Sequence, residues 1–173
     1  MRGAHPTSLK VMDKKTVYIE TSIVSYLTAR PSSNLLAAAW QKATVDWWDT
    51  QRGRFDLYVS VTVIEEAKRG DTQAATRRIE ALEAIPLLPI TEAVVLLAKL
   101  LIDEGGIPAK ALDDALHIAV SAVHGIDYLL TWNCRHIDNA EMKPIIRRIC
   151  GAKGHPCPEI CTPQELMGVA SDD

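Results

Sequence analysis

Short apolar segments alternate along the chain with longer amphipathic ones, and this alternation predicts the order of the elements. Runs of β-branched and aromatic residues predict buried strands, and apolar residues recurring every three or four positions predict helices. The predicted strands are 16–20, 55–60, 86–90, 128–131 and 158–161. A short helix that follows the capping residues Thr21 and Ser22 should end at Leu27, and further helices are predicted at 35–51, 62–69, 72–84, 91–104, 109–123 and 141–150.

Strands that alternate with helices are typical of an α/β fold with a mainly parallel sheet and right-handed crossovers. We expect one domain over residues 14–168, preceded by an N-terminal extension at 1–13 and followed by a C-terminal tail at 169–173. Functional sites in such folds gather beyond the carboxyl ends of the strands, so polar residues at those positions are the first candidates.

Composition narrows the class of protein without identifying a function. The 173 residues are 47% hydrophobic and 24% charged, which is enough apolar chain for one packed core. The sequence shows neither an apolar run long enough to cross a membrane nor the apolar core of a signal peptide, and four cysteines make no disulfide scaffold, so we expect a cytoplasmic protein. A net charge of −3 argues against coating nucleic acid by bulk electrostatics, but not against an enzyme that grips phosphates locally through a metal.

Four polar residues lie at or near the carboxyl ends of the predicted strands. Glu20 ends the first strand, and Glu66 follows the end of the second by six residues. Asp114 lies early in the helix before the fourth strand, and Asn133 comes two residues after that strand ends. Carboxylates brought together from separate elements repel one another unless a cation neutralises them, and Mg²⁺ and Mn²⁺ favour oxygen ligands. The pattern therefore predicts a metal site.

These residues belong to four segments that resemble the motifs of the PIN domain in order and spacing. The segments are 18–22 (YIETS), 60–70 (SVTVIEEAKRG), 114–119 (DALHIA) and 130–133 (LTWN). The resemblance extends over about 16–167 and is closest to VapC-like ribonuclease toxins of toxin–antitoxin systems. It implies a Rossmann-like, three-layer α/β/α sandwich, Mg²⁺- or Mn²⁺-dependent cleavage of RNA, a cognate antitoxin as partner, and a homodimer.

The resemblance also implies roles for individual residues. Glu20, Glu66 and Asp114 are expected to bind the metal and, with Asn133, to form the catalytic group. The chain departs from the family where Glu20 replaces the usual Asp of the first motif and Asn133 replaces the usual Asp of the fourth. A neutral amide binds a cation weakly, so we expect one well-held ion, with Asn133 contacting substrate or water. Three residues are expected to support the site or bind substrate: Ser22, Thr131 and His117.

In two pairs of adjacent acidic residues only one member is expected in the site, and one polar helix stripe has two interpretations. The family motifs select Glu66 over Glu65 and Asp114 over Asp113. On the helix that begins near Ala109, a polar stripe recurs at steps of three and four, and it either faces the site or forms the solvent-exposed side. The stripe consists of Asp114, His117, Ser121 and His124.

Other candidates have simpler interpretations. Trp47 continues an apolar helix face, which favours packing in the core or a dimer over stacking on bases. Arg135 and His136 either contact RNA or belong to an exposed loop, with the loop favoured. A zinc site at the Cys-x₄-His-x-Cys-x₃-Cys segment lacks the usual paired spacing, so a plain loop is favoured there. Its residues are Cys150, His155, Cys157 and Cys161.

The leading hypothesis is an endoribonuclease in which a metal-activated water attacks the phosphodiester bond. The alternative is a catalytically weak or inactive PIN-like module that binds RNA or a protein partner. A nuclease acting on structured DNA is a third possibility. Dinucleotide-binding, P-loop and nucleophile-elbow motifs do not occur in the sequence.

Overall fold

The computed structural model describes residues 13–169, which form a five-stranded sheet with all neighbouring strands parallel. The strand order is β3-β2-β1-β4-β5. The prediction of an α/β fold with a mainly parallel sheet is confirmed. The strands are β1 (Lys15–Ile19), β2 (Phe55–Ser60), β3 (Leu87–Leu88), β4 (Tyr128–Leu130) and β5 (Glu159–Cys161).

The helices follow the predicted order with small changes at their ends. The predicted strand 86–90 shrinks to two residues because Pro86 and Pro89 flank it and cannot donate hydrogen bonds to a ladder. The predicted helix 109–123 begins at Leu112, since Ala111 is not helical. The helices are α1 (Thr21–Thr28), α2 (Leu35–Thr50), α3 (Val61–Ala67), α4 (Thr72–Leu82), α5 (Glu92–Asp103), α6 (Leu112–Val123) and α7 (Lys143–Ala152), with a 3₁₀ turn at Arg52–Arg54.

The connections between strands reverse direction at the centre of the sheet. The chain runs outward from β1 through β2 to β3, then crosses to the other side of β1 and continues through β4 to β5. Right-handed crossovers in opposite directions place helices on opposite faces, with α1–α4 packed together on one and α5–α7 on the other. The reversal leaves a crevice at the carboxyl ends of β1 and β4, the usual ligand position in such folds.

The core lies on both faces of β1 and β4. Val17, Tyr18 and Ile19 have no exposed surface, as expected for a parallel strand covered by helices on both sides. Trp47 is also fully buried and stacks against Phe55, so it is a core residue. No helix within residues 13–169 is both long and apolar enough to span a membrane.

One interpretation of the polar stripe on α6 is wrong. His117 and Ser121 are fully buried, so that part of the stripe is not solvent-exposed. Ser121 satisfies its hydroxyl by donating to the backbone oxygen of His117 at 2.8 Å. Only the ends of the stripe reach the surface, and His124 there contacts the backbone oxygen of Pro89.

Candidate active site

Glu20 sits at the junction where β1 passes into α1. The prediction that Thr21 and Ser22 cap this helix is wrong, since both lie in its first turn. The extended backbone of Glu20 makes it the N-cap of α1, and its Oε1 accepts a hydrogen bond from the backbone N–H of Ser22 at 3.1 Å. Its Oε2 accepts from the Ser22 hydroxyl and, at 2.7 Å, from that of Thr131, which follows β4. Donors from two elements thus fix a carboxylate that is only 5% exposed.

Glu66 points from α3 toward the same place. Its Oε2 accepts a hydrogen bond from the Thr21 hydroxyl and lies 2.7 Å from Nε2 of His117. No side chain or backbone group of residues 13–169 donates to its Oε1. Glu65 points outward and forms an exposed ion pair with Lys68 at 3.0 Å. The structure therefore turns Glu66, and not Glu65, toward Glu20.

His117 completes a compact group of three with the two glutamates. Its Nε2 lies 4.0 Å from Glu20 Oε1, and the ligand atoms of Glu20, Glu66 and His117 all lie within 4.8 Å of one another. Its Nδ1 is 2.8 Å from the hydroxyl oxygen of Tyr18, which is itself 2.7 Å from Oγ of Ser60. The hydrogen bond between the buried Tyr18 hydroxyl and Nδ1 holds the imidazole in one orientation.

His117 and the two glutamates shift one another's pKa values. Burial by itself would lower the pKa of His117, but the hydrogen bond to Glu66 and the charges of Glu20, Glu66 and Asp114 outweigh it and raise that pKa. Burial would raise the pKa of Glu66, but the hydrogen bond and charge of His117, with smaller contributions from Thr21 and Arg69, lower it. The imidazole therefore acts as a partial counter-charge for the carboxylates.

Asp114 and Asn133 form a second group beside the first. Asn133 Nδ2 donates to Asp114 Oδ1 at 3.1 Å, and His136 Nδ1 lies 2.7 Å from Asp114 Oδ2. Asp114 is not one of the three residues whose ligand atoms converge within 4.8 Å, so its role as a metal ligand remains a prediction. A cavity of about 380 Å³ connects the groups, since Glu66, Asp114 and His136 all line it.

The supporting residues Ser22 and Thr131 bridge the two groups. Besides contacting Glu20, Ser22 Oγ accepts the backbone N–H of Trp132 at 2.8 Å. Thr131 Oγ1 accepts the backbone N–H of Asn133 at 2.9 Å. The two hydroxyls therefore set the position of the Glu20 carboxylate and that of the loop carrying Asn133 together.

The sequence favours an exposed loop for His136, but in the structure its side chain contacts Asp114. Its backbone N–H donates to Oδ1 of Asn133 at 3.1 Å, a local turn that asparagine side chains commonly close. The three-residue spacing between Asn133 and His136 was the available signal. Arg135, its neighbour, is an exposed residue of this loop.

The donor set fits a divalent cation. Two carboxylates meet in a largely buried place, and no Lys or Arg nitrogen among residues 13–169 comes within 4.0 Å of either. His117 Nε2 is engaged by Glu66 at 2.7 Å, so the ligand atoms on offer are the carboxylate oxygens, which Mg²⁺ and Mn²⁺ both favour. Within the same residues no second group of His, Cys, Asp or Glu converges in this way, and the four residues of the zinc alternative form none.

Comparisons with known proteins bear on the fold and the family of the chain. Among solved structures, the chain is similar to the VapC20 toxin of Mycobacterium tuberculosis, a sarcin-ricin loop cleaving toxin, with 14% identity and a TM-score of 0.54. The match covers 72% of this chain and 95% of that one, and it supports the fold. A search of curated proteins finds no match. The sequence model of the PIN domain matches residues 17–141, and the chain therefore belongs to the PIN domain family.

Proposed function

We propose that this protein is a metal-dependent endoribonuclease of the VapC type that hydrolyses RNA phosphodiester bonds. The observation that carries the proposal is the convergence of Glu20, Glu66 and His117 within 4.8 Å at the carboxyl end of β1. Membership of the PIN family and similarity to a toxin described as cleaving the sarcin-ricin loop support it.

The hydroxyls around the two glutamates prepare them to hold a cation. Thr21 and His117 engage Oε2 of Glu66 and leave Oε1 for a ligand, while Ser22 and Thr131 hold the Glu20 carboxylate from behind. When bound, Mg²⁺ or Mn²⁺ supplies positive charge that offsets the carboxylates and makes water a stronger nucleophile. Attack by water, and not by the ribose 2′-hydroxyl, leaves a 5′-phosphate and a 3′-hydroxyl.

The second group, which consists of Asp114, Asn133 and His136, lies at the rim of the site. Asp114 would complete the ligand set, and Asn133 and His136, which hold its two oxygens, would orient it. The Asn133 amide bears no charge, so it would contact substrate or water without repelling the RNA. As further parts of this proposal, a cognate antitoxin would block the site, two copies of the chain would dimerise, and the protein would act in the cytoplasm.

The decisive experiment compares Glu66→Gln with Glu65→Gln on a labelled single-stranded RNA. Glu66→Gln removes a charge from the site at almost constant volume, and we expect at least a 100-fold loss of cleavage. Glu65 is exposed and paired only with Lys68, so Glu65→Gln should cleave within about twofold of the wild type. EDTA should abolish cleavage, Mn²⁺ should restore it, and the products should carry 5′-phosphates.

Other results would point elsewhere. Equal activity of the two glutamine variants, or cleavage in EDTA with cyclic phosphate ends, would contradict the metal mechanism. RNA binding without cleavage under every metal condition would favour the inactive binding module, and preferential cutting of structured DNA would favour the DNA nuclease.

A further inference from the structure

A second cleft lies on the α1–α4 side of the molecule and is lined by arginines. It has a volume of about 330 Å³ and lies between the C-terminal end of α1 and the first half of α4. Arg30, Arg77 and Arg78 line it, against one carboxylate, that of Asp71. Because the whole chain has a net charge of −3, this concentration of positive charge is a local feature.

Backbone and amide oxygens hold these arginines, and no carboxylate does. Arg77 Nε donates to the backbone oxygen of Thr28 at 3.0 Å, and its terminal nitrogens have no acceptor within residues 13–169. Arg78 donates through Nε to the oxygen of Ala67 at 2.9 Å and through Nη2 to that of Arg69. Arg30 Nη2 donates to Gln73 Oε1 at 3.0 Å.

The single carboxylate in the cleft is already engaged. Asp71 is the N-cap of α4 and accepts the backbone N–H of Ala74 at 2.9 Å. No ion pair within 4.0 Å joins Arg30, Arg77 or Arg78 to any carboxylate of the described chain, although Arg77 and Arg78 are half-buried. Half-buried charges without a counter-ion are costly, and positioned guanidinium forks match phosphate geometry.

Helix α1 joins this cleft to the active site. At its first residue, the Thr21 hydroxyl contacts Glu66, and at its last, the Thr28 carbonyl contacts Arg77. At 1.5 Å per residue, the two ends of α1 are about 10 Å apart. This distance is short enough for a nucleic acid strand bound at Glu20 and Glu66 to reach the cleft within a few nucleotides.

We infer that the arginine cleft binds a backbone phosphate of single-stranded RNA on one side of the scissile bond. The inference rests on the proposed ribonuclease function and adds a substrate subsite to it. Arg30 and Arg77 supply the free guanidinium nitrogens, and the fixed position of Arg77 orients the strand along α1. Contacts to phosphate carry no sequence information, so the cleft strengthens binding equally for all sequences.

The test measures binding of a poly(U) oligonucleotide in EDTA, with gel analysis showing that the RNA stays intact. The Arg30→Gln/Arg77→Gln double variant should bind roughly tenfold or more weakly than the wild type. The slope of log affinity against log salt should fall in magnitude by about 1.4, since each lost contact to single-stranded nucleic acid contributes about 0.7. In the cleavage reaction the same variant should raise KM and leave kcat unchanged.

The matched control is Arg52→Gln/Arg54→Gln, which removes the same charge from the 3₁₀ turn before β2. That turn lies at the amino edge of the sheet, opposite Glu20, so affinity and salt slope should match the wild type. If Arg77→Gln disturbs folding by releasing Thr28, the single variant Arg30→Gln is used instead. The Arg30 side chain is exposed and its guanidinium donates only to Gln73 within the described residues.

Two results would overturn the inference. Equal affinity and salt slope in the cleft and control variants would show that RNA does not use the cleft, even where the wild type still cleaves RNA. If the cleft variants lost binding to poly-glutamate but kept binding to poly(U), the cleft would recognise an acidic peptide instead. A wild type that binds poly(U) through the cleft but never cleaves RNA would contradict the proposed function and leave the subsite standing.

Discussion

At Asn133 an amide stands where the fourth PIN motif usually carries a carboxylate, and it changes how Asp114 is held. The amide donates to Asp114 Oδ1 at 3.1 Å and accepts the backbone N–H of His136 at 3.1 Å. A carboxylate could accept the second bond but not donate the first. The substitution therefore replaces a repulsive contact with an attractive one. It also leaves less negative charge for a cation to neutralise beside Asp114.

Asn133→Asp should reverse this effect. Two carboxylates would then lie about 3 Å apart, so the metal-free protein should unfold at a lower temperature than the wild type, while Mn²⁺ should bind more tightly. Thermal melting in EDTA and Mn²⁺ titration of the same variant provide the two measurements. No change in either would mean that Asn133 lies outside the site.

Asp114 offers a second prediction at this scale, because Asp113 beside it is its natural control. Asp114→Asn should reduce RNA cleavage by roughly 100-fold or more, since it removes a charge at the rim of the site while preserving volume. Asp113 is half-buried and pairs with Arg69 at 3.1 Å, so Asp113→Asn should cost little activity. Cleavage rates of the two variants, with circular dichroism to confirm folding, decide the matter. An active Asp114→Asn protein would remove Asp114 from the catalytic group.

Among the elements, β1 and β4 matter most, because the residues that follow them form the site. At the opposite, amino edge of the sheet, the carboxylate of Asp127, just before β4, is hydrogen-bonded to β1. Asp127 Oδ2 accepts the backbone N–H of Thr16 at 2.9 Å and its hydroxyl at 3.0 Å, while Lys15 pairs with Oδ1 at 2.9 Å. Burial opposes ionisation of Asp127, but these donors outweigh it and lower its pKa below the usual value of about 3.8.

Asp127→Asn should therefore reduce the free energy of unfolding by about 1–2 kcal/mol at neutral pH, through loss of charge-assisted hydrogen bonds. Because the folded pKa is the lower one, this stabilisation is present above the unfolded pKa and disappears as pH falls through the folded value. Urea unfolding across pH should show the gap between wild type and variant closing in acid. Asp56→Asn, at an exposed position on β2, is the control and should leave stability unchanged. A gap that stays constant down to acid pH would contradict the assignment.

For the whole molecule, the fold concentrates negative charge in its central crevice. Glu20, Glu66 and Asp114 come from three elements, and only the sheet and its crossovers bring them into one region. His117 offsets part of that charge, and a cation would offset more. Because a cation binds the folded state and not the dispersed ligands of the unfolded chain, its binding should stabilise the entire domain.

Mn²⁺ at about 100 times its Kd should add about 2.7 kcal/mol to stability, which corresponds to roughly 5–10 °C in Tm for a domain of this size. Mg²⁺ at the same concentration should give a smaller shift, because it gives up its bound waters reluctantly. Differential scanning fluorimetry can compare Glu20→Gln, which should lose the shift, with Glu65→Gln, which should keep it. An equal shift in both variants would place the cation elsewhere.

The sequence by itself determined the order of the elements and the parallel sheet. Apolar runs such as the one ending at Ile19 are local signals, and so are the side chains of Asn34, Asp71 and Thr91, which cap the helices that follow them. The resemblance of the four motifs to the PIN family was confirmed for the same reason, since motif spacing is a property of the chain alone.

Only the tertiary structure decided which polar side chains meet. A helical stripe shows that Asp114 and His117 share a direction, but not that His117 is fully buried between Tyr18 and Glu66 while Asp114 turns to Asn133 and His136. These contacts join residues 19–99 positions apart, and their partners depend on how α3, α6 and the segment after β4 pack. Periodicity fixes which face of an element is polar, and packing of separate elements fixes what that face touches.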